Sequence, residues 1–169
     1  MDECIIYNQE DILEITEEVI DDLKERALRS PRKRTRLCMH HSLDHVTHEM
    51  LIVFHKDTFM PPHRHPKGKS ESYHIVEGSM VVYFFNNEGQ VTRSINMEKA
   101  GSKGVFLYRL SNNEWHMPVP TSEWLVYHET YSGPFKKDFD VEFPEWSPNE
   151  DDTVLIKKFM CSLNIYLSE

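Results

Sequence analysis

The chain has 169 residues, 39% hydrophobic and 28% charged, with 6 Gly and 9 Pro: one globular domain, neither disordered nor disulfide-built. Its net charge of −9, from 28 Asp+Glu against 19 Lys+Arg, repels phosphate backbones and excludes general nucleic-acid binding in favour of a small-molecule partner. Ten histidines against three cysteines are the feature to explain.

The opening MDECIIYNQEDILEITEE has no basic n-region, and no run of eighteen apolar residues follows, so neither a signal peptide nor membrane insertion is expected. Cys4, Cys38 and Cys161 are odd in number and far apart, which fits a reducing, cytoplasmic setting. Asn8 reads as an N-cap, and Ile12, Ile15, Val19, Ile20, Leu23 and Ala27 recur at helical spacing until Pro31 stops the helix. The dense basic run Arg32-Lys33-Arg34-Thr35-Arg36 reads as a solvated helix exit, or as a grip on a diphosphate or an acidic partner patch.

From Arg36 onward short aromatic and β-branched runs alternate with turns. The candidate strands are Glu49–His55, Glu71–Val76, Ser79–Phe85, Val91–Met97, Val105–Leu110, Glu114–Pro118 and Glu123–Tyr131. Asn86-Asn87-Glu88-Gly89 marks a hairpin, and Gly78 a tight reversal. Such a series predicts a mainly β sandwich or barrel rather than a βαβ fold. The Pro-rich acidic stretch from Gly133 to Asp152 reads as irregular surface chain, followed by a short helix starting near Asp152. The organisation is one domain over 1–169: an N-terminal helix and basic connection (1–35), a barrel (36–132), and a C-terminal wrap and tail (133–169).

The chemistry concentrates in Pro61-Pro62-His63-Arg64-His65, then Glu71 and Gly78. A His-x-His pair alone is weak in so histidine-rich a chain, whereas Glu and Gly at these intervals make the compound signal specific. Imidazoles two apart in an extended segment point the same way, Glu71 reaches across from the next strand, and His116 closes the set from a later one. Three imidazoles and a carboxylate suit one divalent transition metal (iron, manganese, nickel or zinc) and leave coordination positions for substrate. His74 is the substitute for Glu71. Tyr73 shares the face of Glu71, as a pocket donor or as a core residue. Lys69 is a candidate grip on a substrate anion, and Arg109, set between apolar neighbours, needs an anionic partner such as Glu114, Glu129 or a substrate.

The run PHRHPKGKSESYHIVEG resembles the first cupin motif, G(x)5HxH(x)3-4E(x)6G, and Trp115-His116 resembles the second motif's histidine. Five residues separate His65 from Glu71, one more than the motif, and Ser111-Asn112-Asn113-Glu114 stands where Pro-x-Gly is usual. With SPRKRTRLCMH, FLYRLSNNEWH and EWLVYHETYSGPF, the chain from about Ile12 to about Trp146 resembles the WbuC-type cupin metalloproteins, which are associated with bacterial O-antigen (lipopolysaccharide) biosynthesis clusters. The resemblance implies a double-stranded β-helix (jelly-roll) barrel with a metal in its mouth, held by His63, His65, Glu71 and His116. It also implies a bacterial cytoplasmic setting and a homodimer paired through edge strands. The function to expect is isomerase- or epimerase-like action on a small oxygen-rich substrate such as an activated sugar. A non-catalytic ligand- or metal-binding module and an oxygen-dependent dioxygenase are the alternatives.

Overall fold

The structure, a computed structural model, describes residues 4–164. In chain order it runs β1 (Ile5–Tyr7), α1 (Glu17–Arg29), β2 (Arg34–Cys38), β3 (Thr47–His55), β4 (Glu71–Glu77), β5 (Ser79–Phe85), β6 (Val91–Glu98), β7 (Leu107–Leu110), β8 (Trp115–Pro120), β9 (Trp124–Ser132), α2 (Lys137–Asp140) and α3 (Thr153–Asn164). Six strands form one sheet in the order β1-β2-β3-β9-β4-β7, and three form the second, β6-β5-β8. All pairings are antiparallel except β1 with β2. This is the two-sheet jelly roll expected from the strand pattern.

The core lies between the sheets, where Met50, Ile52 and Phe54 of β3 meet Met80, Val82 and Phe84 of β5. The helices cover the outer faces. Ile20, Leu23 and Ala27 of α1 pack on Leu37, Leu51, Val53 and Val126, and Leu163 of α3 joins Val81, Tyr83 and Phe85. Strand β5 is therefore apolar on both faces, which explains its unbroken run Met-Val-Val-Tyr-Phe-Phe. Each such side chain contributes about 1.5–3 kcal/mol by burial. Gly78 turns the chain from the large sheet into the small one at φ 77°, and a Cβ there would strike the Trp124 carbonyl oxygen.

Three elements differ from the sequence reading. Helix α1 begins at Glu17, because the Asn8 side chain closes a local turn: its Oδ1 accepts from the Glu10 N–H at 2.8 Å and its Nδ2 donates to the Met39 carbonyl. Ile12 is consequently 83% exposed. Only Arg32 and Lys33 of the basic run form the helix exit; the rest opens strand β2, with Thr35 and Leu37 buried and Arg34, Arg36 and Cys38 facing the barrel interior. Strand β8 continues through Pro118 and Pro120, which an edge strand tolerates. The C-terminal helix starts where expected, with Asp152 Oδ1 accepting from the Val154 and Leu155 N–H groups.

Candidate metal centre

Three parts of the chain converge inside the barrel. The Pro61–His65 segment runs extended beside β8: the His63 N–H donates to the His116 carbonyl at 3.0 Å and the His116 N–H returns a bond at 2.8 Å. Alternation then turns His63 and His65 inward and Arg64 outward, where it pairs with Glu142 at 2.7 Å and lies 4.0 Å over the Trp115 ring. Glu71 opens β4 on the inner face with Tyr73 and Ile75, all buried. The extra residue between His65 and Glu71 is absorbed by the Pro66–Ser70 loop, where Gly68 takes φ 89°.

The four side chains are almost wholly buried, from 0% exposed for His116 to 7% for His65. Their candidate ligand atoms all lie within 4.8 Å of one another, a grouping that could hold a metal ion. Each imidazole is fixed from behind by a main-chain carbonyl: His63 Nδ1 on Pro61 at 3.0 Å, His65 Nδ1 on Asp140 at 2.6 Å, and His116 Nδ1 on Glu114 at 3.0 Å. A carbonyl only accepts, so these contacts assign a proton to every Nδ1 and leave Nε2 as the atom presented to an ion.

Glu71 is held as precisely. Its Oε2 accepts from the Tyr73 hydroxyl at 3.1 Å and lies 3.1 Å from His65 Nε2; its Oε1 accepts from the Tyr108 hydroxyl at 3.3 Å. Burial alone would raise this carboxyl, but His116 and His65 beside it hold it well below the usual range. Burial, with His116 and His65 close by, keeps His63 neutral. Burial would also lower His65, yet its hydrogen bond to Glu71 and that residue's charge raise it overall. Burial and the Glu71 charge push the Tyr73 and Tyr108 hydroxyls well up, so both remain donors.

The donor set fits a transition metal on one further observation. His116 Nε2 is buried 2.9 Å from Glu71 Oε1, yet makes no hydrogen bond among the described residues. Two lone-pair-bearing atoms facing one another at that distance are the arrangement a cation satisfies.

A cavity of about 220 Å³ opens beside this cluster, with His63, His65, Tyr73, Glu129 and Arg36 in its wall. The Glu129 carboxyl faces it and is pushed up to about 7, by burial first and then by the charge of Glu71. Of the other candidates, Tyr73 is at the site through Glu71. Lys69 is instead engaged in tying down the chain after β9: its Nζ donates to the Ser132 and Pro134 carbonyls and lies 3.3 Å from Asp140 Oδ1. Arg109 is exposed on the outer face of β7 and donates to the Ser111 and Ser70 hydroxyls, because alternation puts Tyr108 and Leu110 inside. His74 likewise faces outward, against the Phe106 ring, and is no substitute for Glu71.

Sequence reasoning missed Tyr108, had Glu129 only as a partner for Arg109 and Arg36 only within the basic run, and missed the Asp140 carbonyl. Period-two alternation carries the signal for the first two, since Glu129 shares a face with Tyr127 and Tyr131. For Asp140, in a stretch read as irregular, nothing in the sequence announces a role.

Residues 15–97, just under half of the chain, match a family described as a domain of unknown function (DUF6016). No curated protein matches in sequence. Among solved structures, protein SO0799 from Shewanella oneidensis aligns over 64% of this chain and 72% of its own, with a TM-score of 0.53 at 12% identity. L-ribose isomerase from Cellulomonas parahominis, with L-ribose, aligns over 65% and 62% with a TM-score of 0.49 at 15% identity. Oxalate decarboxylase from Lactobacillus farciminis aligns over 58% and 26% with a TM-score of 0.44 at 19% identity. The chain thus spans about a quarter of that decarboxylase and less than two thirds of the isomerase. Among the described residues no helix is long and apolar enough to cross a membrane. With its two facing β-sheets, flanking helices and inward-facing histidine cluster, the chain has the cupin fold.

Proposed function

We propose that this protein is a metal-dependent enzyme acting on a small oxygen-rich molecule, with His63, His65, Glu71 and His116 holding one divalent transition metal. The observation that carries this reading is the fixing of all three imidazoles through Nδ1 to main-chain carbonyls, which aims three Nε2 atoms at one carboxylate. When bound, the metal would supply Lewis acidity toward substrate oxygens. The chain does the rest. Tyr73 and Tyr108 orient Glu71, and Glu129 is a cavity group able to exchange a proton near neutrality. A carboxyl and a guanidinium in the cavity wall favour turnover over a purely storing or sensing module.

The finer reading rests on the WbuC-type resemblance: isomerisation or epimerisation of an activated sugar in bacterial polysaccharide (O-antigen) biosynthesis, by a cytoplasmic homodimer. A cavity of about 220 Å³ takes only the reacting part of such a substrate. The test is incubation of metal-loaded protein with nucleotide sugars in D2O, followed by NMR. Deuterium entering a sugar carbon, and not doing so with metal-stripped protein, supports the reading. Oxygen consumption without exchange indicates a dioxygenase, and neither signal with any sugar indicates a binding module.

A further inference from the structure

Strand β2 carries a cation that the metal reading leaves unused. Arg34, Arg36 and Cys38 all face the cavity. Arg34 is satisfied by the Phe59 carbonyl and by Glu150 at 2.7 Å, and Arg32 is paired with Glu150 at 3.2 Å. Arg36 differs. Among the described residues no carboxylate lies within 4.0 Å of its guanidinium, and its buried Nε makes no hydrogen bond. Glu129 lines the same cavity without pairing with it. A half-buried guanidinium with no carboxylate in contact among the described residues is costly, and a bound anion relieves that cost.

The register places this charge. Arg36 lies opposite Ile52, Ile52 opposite Tyr127, and Tyr127 opposite Ile75. Glu71, four residues before Ile75 on β4, lies two inward-facing rows away, so Arg36 and the histidine cluster address different ends of one cavity. A cavity of about 220 Å³ suits a compact small molecule rather than a nucleotide or a peptide. Glu71 and Glu129 in the same interior disfavour a dianion, whereas a carboxylate carries one charge and matches the guanidinium fork.

We propose that Arg36 anchors the carboxylate of a compact hydroxylated acid whose hydroxyl end faces the His63, His65, Glu71 and His116 cluster. This rests on the reading of the barrel interior as a substrate site, and it names the substrate class. The test is calorimetric titration of metal-loaded and metal-stripped full-length protein with D-glycerate, with glycerol and glycerol 3-phosphate as comparison arms. D-glycerate should bind at least tenfold more tightly than glycerol, and Arg36→Met should abolish that preference without changing metal content. Arg36→Lys keeps the charge and loses the fork, so a loss of at least threefold is expected even if the Met variant does not fold.

Glycerate binding no more tightly than glycerol, or unaffected by both substitutions, overturns the proposal. Tighter binding of glycerol 3-phosphate than of glycerate overturns the carboxylate assignment. The two readings fail separately: a preference for glycerate in metal-stripped protein supports Arg36 even where no metal binds, and metal binding without that preference sinks Arg36 alone.

Discussion

Glu71 Oε1 stands 2.9 Å from His116 Nε2, both atoms buried, in a geometry that makes no hydrogen bond. His116 gives its Nδ1 to the Glu114 carbonyl, and Glu71 is already held by two tyrosines and His65. A cation shared by the four side chains would account for the contact. The residues behind them determine how well it is held.

Tyr73→Phe removes the hydroxyl that donates to Glu71 Oε2 at 3.1 Å and leaves the ring in the core. Metal affinity should fall by about 10–100-fold, while the unfolding free energy of the metal-free protein falls by about 1.5–3 kcal/mol. Competition with a chelator of known affinity reads the first, and urea denaturation the second. Unchanged affinity would show that the tyrosine does not orient Glu71.

Glu129, raised to about 7 by burial and by the Glu71 charge, makes stability depend on pH. A carboxyl raised in the folded state contributes stability that is fully present below its unfolded pKa of about 4.3 and is lost as pH rises through about 7. In metal-free protein Glu129→Gln should therefore be the more stable form at pH 8, by an amount on the order of 2 kcal/mol, with the advantage vanishing near pH 4. Urea midpoints of the two proteins across this range provide the check, and parallel profiles would contradict it.

His40 gives the opposite slope. It is buried, stacked on His48 with centroids 4.0 Å apart, and held neutral at about 4 by burial and by that neighbour. A histidine depressed in the folded state contributes stability present above its unfolded pKa of about 6.5 and lost as pH falls through about 4. Between those values the wild type should lose on the order of 2–3 kcal/mol more than His40→Asn, which keeps a donor for the Glu49 carbonyl. An equal loss in both proteins would remove His40 from the acid response.

The legible parts of this fold are those where one local rule decides. Ser79–Phe85 reads as a strand end to end because every residue after Ser79 is apolar or aromatic and a positive-φ glycine precedes it. The four candidate ligands read from spacing, since alternation and motif intervals agree. Strand β2 did not read, because its inward face carries Arg34 and Arg36, reversing the apolar-in pattern on which strand recognition depends. Arg109 misled for the complementary reason: apolar neighbours suggested burial, but at a sheet edge alternation exposes it. The Pro61, Glu114 and Asp140 carbonyls that orient the histidines are main-chain groups, to which side-chain patterns are blind.

The most direct measurement is the metal content of the purified chain by elemental analysis, for the wild type and for His63→Ala and His116→Ala. The main-chain bridge between these two residues does not need their side chains, so both variants should fold. About one equivalent of transition metal per chain is expected in the wild type, and a loss of most of it in each variant. Wild-type protein that stays metal-free after exposure to iron, manganese, nickel and zinc, or variants that keep a full equivalent, would contradict the account.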